Sequence, residues 1–112
     1  MHFDLRFPCM GCPFRTDIPV FLRLVRVQVL LTEILDEEKT FVCHKTADMP
    51  ERMQQQCAGA ILLIEKERPV YGHRLLQIAE RFGLYDPSIL NRTAPVYETR
   101  EAMIERHRRE GG

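Results

Sequence analysis

Apolar residues recur with the period of an α-helix along several stretches of the chain. Over residues 24–35 they place Val25, Val29, Leu30 and Ile34 on one side of a predicted helix. Residues 58–66 are apolar on most faces, which predicts a second helix that is buried at the centre of the fold. These two stretches supply most of the candidate core.

A third helix is predicted over residues 72–82, because apolar residues again recur every three or four positions. Gly83 suits the left-handed conformation that commonly ends a helix. Asp86 and Pro87 predict the N-cap and the first position of a short helical turn. The inner stripe of the third helix is predicted to consist of Leu75, Leu76, Ile78, Ala79 and Phe82.

Between these helices the polar and helix-breaking residues predict irregular structure. Proline and glycine interrupt residues 1–19 repeatedly, so this N-terminal segment is predicted to lack helix. Residues 40–43 are rich in β-branched and aromatic side chains and predict a short strand. The polar residues 46–56 predict a loop. Residues 99–112 are predicted to form a C-terminal helix, capped by Thr99, with a basic tail.

Length and composition restrict the classes of protein to which the chain can belong. Its 112 residues fit one domain, and 45% of them are apolar. The 16 basic and 16 acidic residues cancel, so no broad basic surface for nucleic acid or anionic membrane is expected. The charged residues Asp4 and Arg6 stand where a signal peptide would have its apolar region. The longest apolar run, residues 57–64, is too short to span a bilayer. We therefore expect a soluble, cytoplasmic protein without a membrane partner.

The candidate chemistry lies in the four cysteines, Cys9, Cys12, Cys43 and Cys57. Reduced compartments disfavour structural disulfides, so four cysteines in a cytoplasmic chain indicate metal or redox chemistry. Two thiolates separated by two residues can bind one metal centre through a turn, and the start of a helix stabilises a thiolate such as that of Cys57. The alternative is that the cysteines are small buried apolar residues. We interpret them as one metal site.

The identity of the metal depends on the spacing of the cysteines. Structural zinc sites usually combine two close pairs, whereas Cys43 and Cys57 are separated by thirteen residues. Iron–sulfur clusters accept more dispersed ligands, and Pro13 after Cys12 resembles the Cys-Pro step beside such clusters. A [4Fe–4S] cluster is therefore favoured, with zinc as the alternative. Side chains that could shield the site from water or offset its charge are Phe3, Phe7, Phe14, Phe41, Arg15, Lys45 and Arg52.

The four histidines give weaker signals. His44 follows Cys43 directly, so it could replace a cysteine as a zinc ligand or donate a hydrogen bond near the site; we favour the hydrogen bond. His73 is predicted to be a surface or capping residue at the start of the third helix. His2 and His107 lie near the termini and predict nothing specific. Taken together, these elements predict a mainly α fold with one or two short strands, a small α+β single domain over residues 1–112.

Three segments around the cysteines have distinctive patterns: residues 9–15, with Cys-x-x-Cys-Pro-Phe-Arg, residues 41–46, with Cys-His, and residues 57–60, with Cys-x-Gly. Together these segments resemble a known family of small bacterial and phage proteins, the domain of unknown function number 6283. Residues 78–86 and 94–97 are also similar to the phage members. The resemblance implies a phage or prophage origin, a bacterial host cytoplasm and metal binding by the cysteines, but it implies no activity.

Several functions remain open on this basis. No phosphate-binding loop, serine-hydrolase elbow, zinc-protease motif or dinucleotide fingerprint is found, so a non-enzymatic binding or regulatory module is favoured, with a protein partner. The alternatives are an iron–sulfur electron-transfer or redox-sensing protein and, ranked lower, a thiol oxidoreductase that uses Cys9 and Cys12. The apolar residues 25–31 could form a self-association face. Nucleic acid is a further alternative partner through Arg100, Arg106, Arg108 and Arg109, although basic helix ends are usually only solvated.

Overall fold

The computed structural model describes residues 2–43, 45–68 and 72–111, and four α-helices form within them. The predicted helices are all confirmed, with ends that differ by a few residues. Helix α1 continues directly into a π-helical turn, Thr32–Asp36. Short 3₁₀ turns occur at Glu51–Met53 and Pro87–Ile89. The helices are α1, Leu24–Leu31; α2, Ala58–Glu67; α3, Arg74–Arg81; and α4, Arg100–Gly111.

Helix α2 is the buried centre of the molecule, as the sequence predicts. Every residue from Ala58 to Ile64 is buried, so the helix contacts protein on all sides. Burial of a leucine or isoleucine side chain contributes about 1.5–3 kcal/mol to folding. The first turn of α2 therefore holds a fixed position, and Cys57 immediately precedes it.

The inner face of α1 differs from the predicted one. Val25 and Val29 are 71% and 45% exposed, so their assignment to the core is wrong. Leu30 and Ile34 are buried as predicted, together with Val27, Leu31 and Leu35. The reason is that α1 packs against α4 on one side and, through its π-helical turn, against α2. Each of these contacts selects residues around position 30, whereas the valines at positions 25 and 29 point away from it.

Helix α3 is also rotated relative to the prediction. Its buried residues are Leu76 and Ala79, whereas Ile78 and Phe82 are 44% and 73% exposed. His73, directly before the helix, is fully buried, accepts a hydrogen bond from the Leu76 backbone at its Nδ1 atom and contacts the Ile34 carbonyl oxygen through Nε2. The capping role predicted for His73 is confirmed, and its predicted surface position is wrong. Gly83 has a φ of 74°, which confirms the left-handed end of the helix.

The predicted strand over residues 40–43 is wrong, because within the described residues only isolated β-bridges form and no sheet is present. Val42 pairs with Gln56 in an antiparallel bridge, and Arg15 pairs with Val96 in another. The small α+β assignment is therefore corrected to a mainly helical single domain. Its radius of gyration of 13.2 Å matches the value of about 13 Å expected for a folded chain of this length.

Candidate metal centre

Cys9 and Cys12 lie in one tight turn of the N-terminal segment. The Cys12 backbone N–H donates to the carbonyl oxygen of Cys9 over 3.1 Å, and the Arg15 N–H donates to that of Cys12 over 3.2 Å. Turned in this way, the backbone N–H of Gly11 points at the Cys9 sulfur, and those of Phe14 and Arg15 point at the Cys12 sulfur. Hydrogen bonds of this kind favour the ionised thiolate, which is the form that binds metals.

The bridge between Val42 and Gln56 places Cys43 and Cys57 on the same face of the two paired segments. The Cys57 N–H donates to Phe41, and the Cys43 N–H donates to the carbonyl of Gln55 over 2.8 Å. In an antiparallel pair with this register, residues one position away from the bridge share a face, so both cysteines lie on the same side. The thirteen residues that separate them in sequence are therefore bridged in space.

The thiols of the four cysteines approach one another in pairs that join different segments. The Sγ atoms of Cys12 and Cys57 lie 3.6 Å apart. The thiol of Cys9 interacts with that of Cys43, and its charge also couples to that of Cys12. All four cysteines are free of disulfides, and all but the half-buried Cys9 are buried. The four cysteines of the predicted site are thus linked by pairwise thiol interactions, and we call this set the thiol cluster.

The pKa values of the thiol cluster follow from these contacts. The hydrogen bond from the Cys57 thiol lowers the pKa of Cys12, and the backbone N–H of Phe14 and the Arg15 charge lower it further. Donation of that hydrogen bond and burial raise the pKa of Cys57 well above its usual range. Burial also raises the pKa of Cys9, although the Gly11 N–H opposes this. Of Cys9, Cys12 and Cys57, Cys12 is therefore the one whose surroundings favour ionisation.

Within residues 2–43, 45–68 and 72–111, no group of three or more His, Cys, Asp or Glu side chains meets the geometry of a metal site. His44, the alternative ligand, lies outside the described residues. The composition of the thiol cluster nevertheless fits a thiophilic metal such as zinc or iron, since it offers four sulfurs from three segments.

Helix α2 lies directly against the Cys12 sulfur at Gly59. A Cβ atom added at Gly59 would lie 2.6 Å from Cys12 Sγ and 3.1 Å from the Cβ of Phe14. Only glycine leaves room for the sulfur at this point of the helix. The backbone N–H groups of Gly59 and Ala60 in turn point at the Cys57 sulfur and lower its pKa against the larger opposing effects. The start of α2 therefore contacts the sulfur of Cys12 and donates backbone hydrogen bonds to that of Cys57.

Arg15 is a buried cation beside the thiol cluster. Its side chain is only 7% exposed, and its guanidinium donates two hydrogen bonds to Asp17, at 2.8 and 2.6 Å. The same guanidinium donates to the carbonyl oxygens of Pro8 and Cys9. Its charge acts on both Cys9 and Cys12, so the predicted role of Arg15 in offsetting thiolate charge is supported by its position. Lys45 and Arg52, proposed for the same role, are exposed.

Aromatic side chains cover part of the thiol cluster. Phe14 is fully buried, and its ring meets that of Phe41 edge-on at a centroid distance of 5.8 Å. Phe3 is buried against Tyr85. Phe7 differs from this prediction, because its ring is 40% exposed and lies under the guanidinium of Arg15. Phe14 and Phe41 therefore lie beside the cysteines, and Phe3 belongs to the hydrophobic core that also contains Cys12 and Cys57.

The family of unknown function DUF6283 matches residues 5–111 of the chain. The chain belongs to that family. The matched DUF6283 region includes all four cysteines, Gly59, Arg15 and helix α4. No curated protein and no solved structure shows significant similarity to the chain.

The DUF6283 match also extends over His107, a residue to which the sequence assigned no role. His107 is fully buried, accepts a hydrogen bond from the Leu22 N–H at Nδ1 over 2.9 Å and contacts the Pro13 carbonyl through Nε2. It therefore connects α4 to the residue that follows Cys12. Met103 and His107 are four residues apart and both buried. The helical spacing of His107 from the apolar Met103 could therefore have predicted that His107 faces the core.

The arginines of α4 are engaged in contacts within the protein. Arg100 forms a bidentate ion pair with Asp36, and Arg106 donates to the carbonyl oxygen of Thr16. Arg108 pairs with Glu105, and Arg109 lies 3.6 Å from Glu110. A phosphate would have to compete with these partners, so a nucleic-acid role gains no support from the tail. Among the described helices, none is both long and apolar enough to cross a membrane.

Proposed function

We propose that this DUF6283 member is a small metal-binding protein in which the four cysteines hold a metal that stabilises the fold. The observation that carries the proposal is the 3.6 Å separation of the Cys12 and Cys57 sulfurs, which come from segments 45 residues apart in sequence. A metal at this point would connect the N-terminal turn to the start of α2 and to the segment that contains Cys43. Such a connection stabilises a small domain whose irregular segments contribute few backbone hydrogen bonds.

The proposed role is that of a non-enzymatic binding or regulatory module. Cys12, Cys43 and Cys57 are buried, whereas a thiol enzyme needs an accessible nucleophile. The Cys12 thiol hydrogen-bonds with that of Cys57, outside the Cys-x-x-Cys motif, which argues against a Cys-x-x-Cys oxidoreductase. The iron–sulfur electron-transfer or redox-sensing role stays a prediction that depends on the metal.

The wider setting is part of the same proposal. The family resemblance motivates a phage or prophage protein that acts in the cytoplasm of a bacterial host, where free thiols persist. A protein partner is proposed in place of nucleic acid, because the arginines of α4 are already paired. Val25 and Val29 are exposed on α1 and offer an apolar surface for such a partner or for a second copy of the chain.

The proposal is tested by replacing each cysteine with serine in turn. We expect every one of the four variants to lose most of the bound metal and to unfold at lower denaturant concentration, because one missing thiolate weakens a four-ligand site. Metal content is measured by mass spectrometry, and stability by circular dichroism. Met10→Ala is the matched control, since Met10 lies between two ligands but is 67% exposed.

The same variants separate the alternatives. A thiol oxidoreductase would depend on Cys9 and Cys12 and would tolerate Cys43→Ser and Cys57→Ser. If purified protein binds no metal, and all four serine variants are as stable as the unmodified chain, the metal-binding proposal is wrong.

A further inference from the structure

We infer that the thiol cluster takes up a single tetrahedral divalent ion of the zinc class, with the sulfurs of Cys12 and Cys57 on one edge of the tetrahedron. This inference rests on the proposed function and deepens it by naming the metal. It departs from the iron–sulfur cluster that the sequence spacing favours, and three features of the structure carry it.

The first feature is the distance between the sulfurs of Cys12 and Cys57. A zinc–thiolate bond is about 2.3 Å long, so two sulfurs of one tetrahedral ion stand about 3.8 Å apart. The Cys12 and Cys57 sulfurs, at 3.6 Å, are already close to that separation. In a four-iron cluster each thiolate binds a different iron, and the iron–sulfide core holds the cysteine sulfurs further apart. A cluster would therefore have to separate this pair.

The second feature is the packing around Cys12, which opposes such a separation. Its side chain is 1% exposed, and Gly59 lies so close that even an added Cβ would reach within 2.6 Å of the sulfur. The buried Phe14 bounds the same space. A single ion can bind between the sulfurs without displacing the start of α2, whereas a cluster core needs the surrounding side chains to move outward. Dense protein packing makes that displacement unfavourable.

The third feature removes the spacing argument for a cluster. The bridge between Val42 and Gln56 places Cys43 and Cys57 on one face of two adjacent segments, so the thirteen intervening residues do not disperse them in space. Cys9 and Cys12 share one turn of the N-terminal segment. Two pairs of cysteines from separate segments are the usual composition of a structural zinc site.

The test loads the full chain, purified without oxygen, with Zn²⁺ in one arm and with Fe²⁺ and sulfide in the other. We expect one zinc per chain and a colourless protein, and X-ray absorption at the zinc edge should show a sulfur shell at about 2.3 Å without a metal–metal distance. Co²⁺ in place of zinc should give the visible absorption of tetrahedral thiolate coordination. Cys57→Ser should lower zinc retention, whereas Met10→Ala should leave it unchanged.

The outcomes distinguish this inference from the proposed function. Four irons and four sulfides per chain, with a coloured protein that excludes zinc, would overturn the zinc assignment and leave metal binding in place. A protein that retains no metal in either arm would overturn both. If Cys57→Ser retained zinc as tightly as the unmodified chain, the pairing of Cys12 and Cys57 on one ion would be wrong.

Discussion

The imidazole of His107 and the carbonyl oxygen of Pro13 lie 3.0 Å apart, although 94 positions separate them in sequence. Because the Leu22 N–H donates to Nδ1, the neutral ring carries its proton on Nε2 and donates it to Pro13. Pro13 directly follows Cys12, so this contact connects α4 to the backbone of the thiol cluster. It also makes α4 a structural part of the candidate site.

Replacement of His107 by alanine should therefore destabilise the protein. The change removes two buried hydrogen bonds and leaves a cavity, which together cost about 2–4 kcal/mol. The measurement is the free energy of unfolding from denaturant titration. Arg109→Ala on the same helix is the control, because the exposed Arg109 makes only a surface ion pair and should change the value by less than about 0.5 kcal/mol. Equal effects of the two changes would contradict the assigned role of His107.

The free energy of unfolding should also decrease as the pH is lowered, because His107 becomes protonated in the unfolded chain. Burial lowers the pKa of its imidazole below the usual value, and the charge of Arg106 acts in the same direction. As pH falls below about 6.5, the unfolded chain binds a proton at this position that the folded protein does not bind, so the free energy of unfolding decreases. The decrease ends below the folded pKa, where both states are protonated.

The pH effect is measured as the difference in unfolding free energy between the unmodified chain and His107→Gln. Gln cannot be protonated, and cysteine protonation is common to both proteins, so the comparison isolates the imidazole. We expect the advantage of the unmodified chain to shrink between about pH 7.5 and about pH 5. A constant difference across that range would show that His107 is not held neutral by burial.

A methyl group at position 59 should disturb the thiol cluster. In Gly59→Ala the added Cβ would lie 2.6 Å from Cys12 Sγ, so either the sulfur or the start of α2 must shift. We expect a loss of about 1–3 kcal/mol in stability and weaker metal retention. Gly72→Ala is the matched control, because a Cβ there meets nothing within 4 Å. Unchanged metal affinity in Gly59→Ala would indicate that metal binding does not depend on the close contact between Gly59 and the Cys12 sulfur.

Loss of the Arg15 guanidinium should weaken metal binding. Arg15→Met keeps much of the apolar length but removes the charge that acts on Cys9 and Cys12 and the hydrogen bonds to Asp17. Hydrogen bonds to charged groups contribute about 1.5–3 kcal/mol each. Metal affinity is measured by competition with a chromophoric chelator. Arg26→Met, at an exposed position of α1, should leave the affinity unchanged.

The sequence by itself determined the central elements of this protein and the candidate site residues. The four cysteines, the buried helix α2 and the caps at Asp86 and Thr99 were all visible from residue type and local spacing. These features are local, because a cap or an apolar helix depends on residues only a few positions apart. Metal binding itself stays a prediction that the experiments above decide.

Only the tertiary structure decided how distant segments meet. It rotated α1 and α3 away from their predicted faces and reduced the predicted strand to one bridge, which places Cys43 and Cys57 on one face. It also buried His107 beside Pro13 and brought Gly59 into close contact with the Cys12 sulfur. Each of these results depends on contacts between residues far apart in sequence, and local spacing contains no information about which face of a helix such a contact will select.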